Sequence, residues 1–240
     1  MTQPMPVDKS SSRVRRMFGE IAGRYDLLNH VLSLGIDRRW RRLATRLAPA
    51  DGEGPVLDVC TGTGDLALAY WRSRGEAVSV VGADFCRPML RVGREKVRRI
   101  GAAGSVWLVE ADAERLPFAS DQFQVVSVAF GLRNVSDTDR GLAEMARVCR
   151  PGGKVAVLEF SMPRRGPLRT FYRWYFERIL PRVGQTLANN RHSAYNYLPA
   201  SVSQFPEGEA LAERMRAAGL TDVRHRRLTF GIVTLYVGKK

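Results

Sequence analysis

The run Val56-Leu57-Asp58-Val59-Cys60-Thr61-Gly62-Thr63-Gly64-Asp65 constrains the fold most, because an apolar strand passes directly into a glycine turn with an acid at each end. Gly62 and Gly64, followed by Ala67, fit the dinucleotide pattern G-x-G-x-x-G/A. Asp84 follows Gly64 at about the distance where a ribose-binding acid belongs. Spacing alone leaves the ligand open. Charge separates the candidates: a pyrophosphate on the following helix N-terminus would face Asp58 and Asp65, whereas a ligand carrying an ammonium and a sulfonium would be attracted to them. S-adenosylmethionine is such a ligand, and glycines let the backbone approach it closely at positive φ.

Downstream of this turn the hydrophobic pattern alternates between strand and helix. The expected elements are strands at 55–60, 77–83, 105–110, 124–130 and 154–160, with helices from about Gly64, over 88–100 and over 137–149. Such alternation predicts an α/β fold, a mostly parallel sheet with helices on both faces. Arg150-Pro151-Gly152-Gly153 reads as a stop between the last of these helices and its strand. Residues 222–229 and 232–237, around Phe230-Gly231, read as an antiparallel hairpin.

The flanks are of a different character. Residues 1–12 are expected to be disordered, and residues 13–240 to form a single domain. Within it, apolar residues at three- and four-residue intervals from Arg13 to Leu47 predict an N-terminal helical cap, spanning 13–50. Residues 163–205 interrupt the rhythm with the aromatic run Phe171, Tyr172, Trp174, Tyr175, Phe176 and a polar loop. Five aromatics in that register cannot all face one side of a helix.

Lysine and arginine outnumber acids 38 to 24, a net charge of +14 that attracts polyanions, either nucleic acid or an anionic membrane leaflet. The three cysteines lack C-x-x-C spacing, and no apolar run reaches the roughly eighteen residues of a membrane span or resembles a signal sequence. A cytoplasmic protein is expected. His30, His192 and His225 are too far apart in sequence to suggest a metal site, so none is expected; His192 is a candidate proton acceptor.

In an open α/β sheet, ligands bind beyond the carboxyl ends of the strands. The first such end carries Asp58, Gly62, Thr63 and Gly64. The second carries Asp84, able to accept from two ribose hydroxyls, and the third carries Asp112, able to accept from the adenine amine, with Ala113 offering a backbone N–H. The fourth, Ala129-Phe130-Gly131-Leu132-Arg133-Asn134, is the expected place of the reacting group.

Along nearly its whole length, from about Val14 to Lys239, the chain resembles the ubiquinone/menaquinone biosynthesis C-methyltransferases, within the class I S-adenosylmethionine-dependent methyltransferases. The blocks that carry the resemblance include Gly62-Thr63-Gly64-Asp65, Leu116-Pro117-Phe118, Phe130-Gly131-Leu132-Arg133-Asn134-Val135, Leu158-Glu159-Phe160-Ser161 and Tyr197-Leu198-Pro199. Gln124 departs from it, standing where these proteins usually have aspartate.

The resemblance implies a seven-stranded sheet with an antiparallel last strand and residues 163–205 as a substrate-side insertion. It also implies methyl transfer from S-adenosylmethionine to a ring carbon of a polyprenylated demethylquinol. Asp58, Gly62, Thr63, Gly64, Asp84, Asp112, Ala113 and Ala129 would then bind the cofactor, and Arg133, Asn134 and Tyr25 would serve catalysis. Arg133 suits stabilisation of a phenolate, since its guanidinium stays protonated. Peripheral contact with the inner face of the membrane fits the prenyl tail and the arginine excess; a homodimer is left open. A nucleic-acid substrate is disfavoured, because FGLRN stands where an Asn/Asp-Pro-Pro-aromatic block would hold a flipped base.

Overall fold

The computed structural model describes residues 8–163, the single positions 170, 172 and 174, and residues 194–240. Much of the aromatic run, together with His192, lies outside the described residues. At the centre stands β1 (Val56–Val59), buried along its whole length as a strand covered on both faces must be. On one side lie β2 (Val80–Asp84) and β3 (Val106–Glu110), on the other β4 (Phe123–Ala129) and β5 (Cys149–Phe160), all parallel. The hairpin β6 (Thr221–Leu228) and β7 (Val233–Lys239) completes a seven-stranded sheet of order β3-β2-β1-β4-β5-β7-β6. Strand β7 runs antiparallel to both neighbours. The chain leaves β1 toward β2 on one side and returns to β4 on the other, so the loops after β1 and β4 part there and open a crevice.

The cap contains three helices, α1 (Ser11–Ile21), α2 (Tyr25–Leu32) and α3 (Asp37–Leu47). Helix α1 begins inside the stretch expected to be disordered. The breaks are sterically marked, since Leu34 and Gly35 both take positive φ between α2 and α3. Helices α4 (Asp65–Arg74) and α5 (Arg87–Arg99) follow β1 and β2. Helix α6 (Thr138–Val148) follows the β4 loop, capped by Asp137, whose side chain accepts from the Arg140 N–H at 3.0 Å. Helices α7 (Ala194–Gln204) and α8 (Glu209–Ala217) precede the hairpin.

Alternation along the strands divides the core. Val56, Val80 and Val106 face Ala44, Leu66, Tyr70 and Leu90, whereas Leu57, Val59, Val126 and Val128 face Leu142, Met145, Leu211 and Met215. Each such fully buried leucine or methionine contributes about 1.5–3 kcal/mol. A third cluster joins Met17, Ile21 and Leu28 of the cap to Tyr172, Tyr197 and Val202, and holds the cap against α7.

One boundary differs from expectation. Arg150-Pro151-Gly152-Gly153 does not stop the chain but lies within β5, where the register with β4 shifts. Gly152 has φ +75° and donates to the Lys240 carbonyl, while Gly153 accepts from the Lys240 N–H. The glycines let the strand bulge while remaining hydrogen-bonded. Gln124 also finds a specific use: its side-chain carbonyl accepts from Gly52 N–H at 2.9 Å and its amide donates to the Gly54 carbonyl, tying down the loop before β1.

Candidate active site

The glycine turn after β1 is held by backbone bonds, Thr61 N–H to the Ala83 carbonyl and Gly64 N–H to the Thr61 carbonyl. Cys60, Gly62 and Gly64 all have positive φ. At Gly62 a Cβ would also lie 3.3 Å from the Met89 methyl, so a side chain would crowd the crevice as well as strain the turn. At Gly131, after β4, a Cβ would fall 2.4 Å from Cys60 Cβ. The two loops can touch only because position 131 is bare.

Between these loops lies a cavity lined by Tyr25, Gly62, Asp84, Asp112, Ala113, Ala129 and Asn134 among others. Asp84 accepts from Gly62 N–H through Oδ2 and from Cys86 N–H through Oδ1, both at 2.8 Å. Each oxygen retains a second lone pair, enough for vicinal hydroxyls. Burial pushes its carboxyl up to about 6, against the backbone bonds from Cys86 and Gly62. Asp112 is exposed, its Oδ1 accepting from Glu114 N–H at 2.9 Å. A bare glycine cradle beside a buried carboxylate fits the methionine and ribose parts of S-adenosylmethionine.

Asp58, Thr63 and Gly64, expected to touch the cofactor, do not line this cavity. Asp58 is 1% exposed, and its oxygens accept from Thr61 Oγ1 (2.6 Å), Ala67 N–H (3.2 Å) and Ser127 Oγ (3.2 Å). Burial lifts its carboxyl to about 7. It braces the turn from behind. Thr63 donates to Asp26 Oδ1 at 2.5 Å and accepts from Lys96, while Gly64 caps α4. Asp65 is paired with Lys96 and, at 3.6 Å, with Arg41. The acids that line the cavity are Asp84, Asp112 and Glu114, not the two at the ends of the turn. His30, Asp37 and Asp65 also converge closely enough to suggest a metal site, but Arg41 and Lys96 already neutralise that group.

Arg133 lies in a single 3-10 turn, Leu132–Asn134, and borders a second cavity of about 390 Å³. Both cavities share Phe18, Tyr25 and Phe130. Most of the second wall is apolar, including Met17, Ile21, Leu32, Trp40, Phe160 and Ile232. Phe130 and Phe160 pack with ring centroids 4.4 Å apart, Arg133 lying over Phe160 and Arg41 over Phe130. Arg133 is 5% exposed, and its Nη1 donates to Glu159 Oε2 at 3.0 Å and to the Phe130 carbonyl. Glu159, in the Leu158-Glu159-Phe160-Ser161 block, meets Arg133 only because β5 lies beside β4. Loss of solvent holds the Tyr25 phenol above its usual range, opposed by the Asn29 hydrogen bond and then the Arg133 charge; it stays neutral and able to donate.

Comparison with known proteins agrees with this geometry. The ubiE/COQ5 methyltransferase family model matches residues 6–240. A ubiquinone/menaquinone biosynthesis C-methyltransferase UbiE of Citrifermentans bemidjiense is 47% identical, covering 98% of this chain and 99% of the relative. A demethylmenaquinone methyltransferase of Deinococcus radiodurans is 49% identical, covering 95% and 92%. Among solved structures, a S-adenosylmethionine-dependent methyltransferase of Thermotoga maritima, a possible histamine N-methyltransferase, superposes with TM-score 0.63 at 19% identity, covering 94% and 99%. That likeness extends to the sheet and its flanking helices. With a cavity at the β1–β4 crevice, and relatives alike from end to end, the chain belongs to the ubiE/COQ5 methyltransferase family and is a S-adenosylmethionine-dependent methyltransferase.

Proposed function

We propose that this enzyme methylates a ring carbon of a polyprenylated demethylquinol, with demethylmenaquinol as its acceptor. The observation that carries the reading is the junction of the two cavities. A crevice suited to the donor adjoins, across Phe18, Tyr25 and Phe130, a large apolar chamber lined by the buried arginines Arg41 and Arg133. An apolar ring with an ionisable oxygen matches the second chamber, and the Deinococcus radiodurans relative bears the name demethylmenaquinone methyltransferase.

S-adenosylmethionine supplies, when bound, a methyl group made electrophilic by its sulfonium. The chain's own contribution is mostly positional. Phe130 and Phe160 give the acceptor ring an aromatic wall, and the cap excludes water. Arg133, oriented by Glu159, presents fixed positive charge to the ring oxygen next to the reacting carbon as that oxygen loses its proton. Tyr25, bordering both cavities, and Asn134, bordering the first, flank the transfer path. Incubation with labelled S-adenosylmethionine and either demethylated naphthoquinol or demethylated benzoquinol, reduced in situ, should label the naphthoquinol by one methyl on carbon. Exclusive labelling of the benzoquinol would move the acceptor to the other quinone class suggested by the Citrifermentans bemidjiense relative's name; labelling of neither would sink the reading.

The acceptor's tail implies a lipid surface. Among the described residues no helix is long and apolar enough to cross a membrane. Leu34, which lines the second cavity, is 86% exposed, and Phe230, next to the lining residue Thr229, is 83% exposed, both at positive φ. Trp40 of α3 ties that helix to the Phe230 turn by donating to Thr229 Oγ1 at 2.8 Å. Next to them α3 exposes Arg38, Arg39, Arg42 and Arg46, with no acidic partner among the described residues. Each basic residue close to an anionic bilayer contributes about 1 kcal/mol of attraction. The protein should therefore float with vesicles containing anionic lipid, and Leu34→Glu with Phe230→Glu should lower that binding about tenfold. Equal flotation with neutral and anionic vesicles would remove the electrostatic part.

A further inference from the structure

A single ammonium joins the cap to the glycine turn. Lys96, on α5, donates to Asp26 Oδ2 at 2.7 Å, to Thr63 Oγ1 at 3.2 Å and to Asp65 Oδ1, so all three of its protons are taken. Thr63 in turn donates to Asp26 Oδ1 at 2.5 Å. The group ties the first turn of α2 to the turn after β1 and to the start of α4. Its three charged side chains are between 20% and 26% exposed, so salt and water screen them incompletely.

Apolar packing does less to fix this end of α2. Leu27 is 60% exposed, and Leu28 is the first buried side chain of the helix. Apolar contact has no preferred direction, whereas a hydrogen-bonded ion pair does. Tyr25, beside Asp26, borders both cavities, and Gly62, beside Thr63, lines the donor cavity. Without Lys96, the carboxylates of Asp26 and Asp65, which now share one nitrogen, would repel and push α2 away from α4. Arg41 offsets part of that repulsion by pairing with Asp65 at 3.6 Å, but it anchors α3.

Resting on the acceptor chamber described above, we propose that Lys96 is a positioning residue, whose ammonium holds α2 against the glycine turn and thereby sets Tyr25 between donor and acceptor. Lys96 itself lines neither cavity. The glycine turn keeps its own backbone bonds and its brace from Asp84 when the latch is cut, so α2 is the part that shifts. The loss then falls on turnover of the acceptor, with the donor still held.

Lys96→Met, and the less disruptive Asp26→Ala, should each lower kcat/KM for the demethylated naphthoquinol about 30-fold, chiefly in kcat. Affinity for S-adenosylmethionine should stay within about threefold of native. Because both residues act through one link, the double variant should lose no more than about threefold beyond the worse single variant. Losses that multiply would overturn the inference. A lysine that only stabilised the fold would lower the melting temperature and leave turnover well below that temperature within about threefold of native, which would overturn it too. A second arm needs no turnover. Amide hydrogen exchange over residues 25–32 should quicken at least about tenfold in Lys96→Met, with exchange in β1, β4 and α6 unchanged. An unchanged α2, or quickening throughout the chain, would remove the latch. If the native enzyme methylates neither quinol, the acceptor reading fails, and the exchange arm alone decides whether Lys96 fixes α2.

Discussion

Arg133→Met should lower kcat/KM for the quinol by about 10³-fold and also destabilise the protein by about 3–5 kcal/mol. The two losses have different origins. Activity falls because no fixed cation remains to hold the phenolate. Stability falls because Glu159, 1% exposed, loses the guanidinium that neutralises it and keeps, among the described residues, the backbone donors of Arg133 and Phe160. Adding Glu159→Gln to Arg133→Met separates them. The double variant should recover most of the melting temperature, since a neutral amide replaces a stranded charge, while turnover stays at the level of Arg133→Met. If Arg133→Met alone turned over within tenfold of the native rate, the ion pair would be an element of the core and the catalytic role would pass elsewhere. If the double variant recovered activity along with stability, Arg133 would act only by keeping the β4–β5 edge folded.

The alternation of apolar strands and amphipathic helices is enough to place the parallel sheet, the crevice and Asp84 in its wall, because each depends on local sequence order. What escaped the sequence were partnerships between distant segments. Asp58 and Asp65 bracket the glycine turn and read as acids facing a cationic ligand. In fact Asp58 is enclosed by Thr61, Ala67 and Ser127, and Asp65 is neutralised by Lys96, 31 residues away, and by Arg41 from the cap. Nothing in the spacing of a β-strand and its turn reports on a lysine arriving from α5. Glu159 is visible as a letter in a family-like block, yet its relation to Arg133 exists only through the packing of β5 beside one 3-10 turn. The glycine pair at 152–153 misled for the opposite reason. Two glycines signal a break when read locally, but beside the C-terminal strand they permit a bulge whose hydrogen bonds continue to Lys240.

Asp84 offers the sharpest test of the donor site. Asp84→Ala should weaken S-adenosylmethionine binding about 100-fold, since it removes both the acceptor for the ribose hydroxyls and the brace on Gly62 N–H and Cys86 N–H. Turnover at saturating donor should stay within about threefold, because Asp84 is remote from Arg133 in role and cavity. The native protein adds a pH signature. Burial raises the folded carboxyl to about 6, above the unfolded value of about 3.9, so its contribution to stability is greatest below about pH 4 and is lost as pH rises through 6. A cationic donor and two hydroxyls reverse that preference by favouring the ionised form. Binding should therefore expel a proton at pH 5–6, and affinity should rise with pH through about 6 and level off above 7. Calorimetry in two buffers of different ionisation enthalpy measures the released proton directly. Asp58, raised to about 7 but turned away from the cavity, should contribute little to it, so the release near pH 6 should vanish in Asp84→Ala. A native enzyme that bound the donor with no proton exchange between pH 5 and 7 would show that Asp84 is already ionised before binding, and the electrostatic account of donor recognition would fail with it.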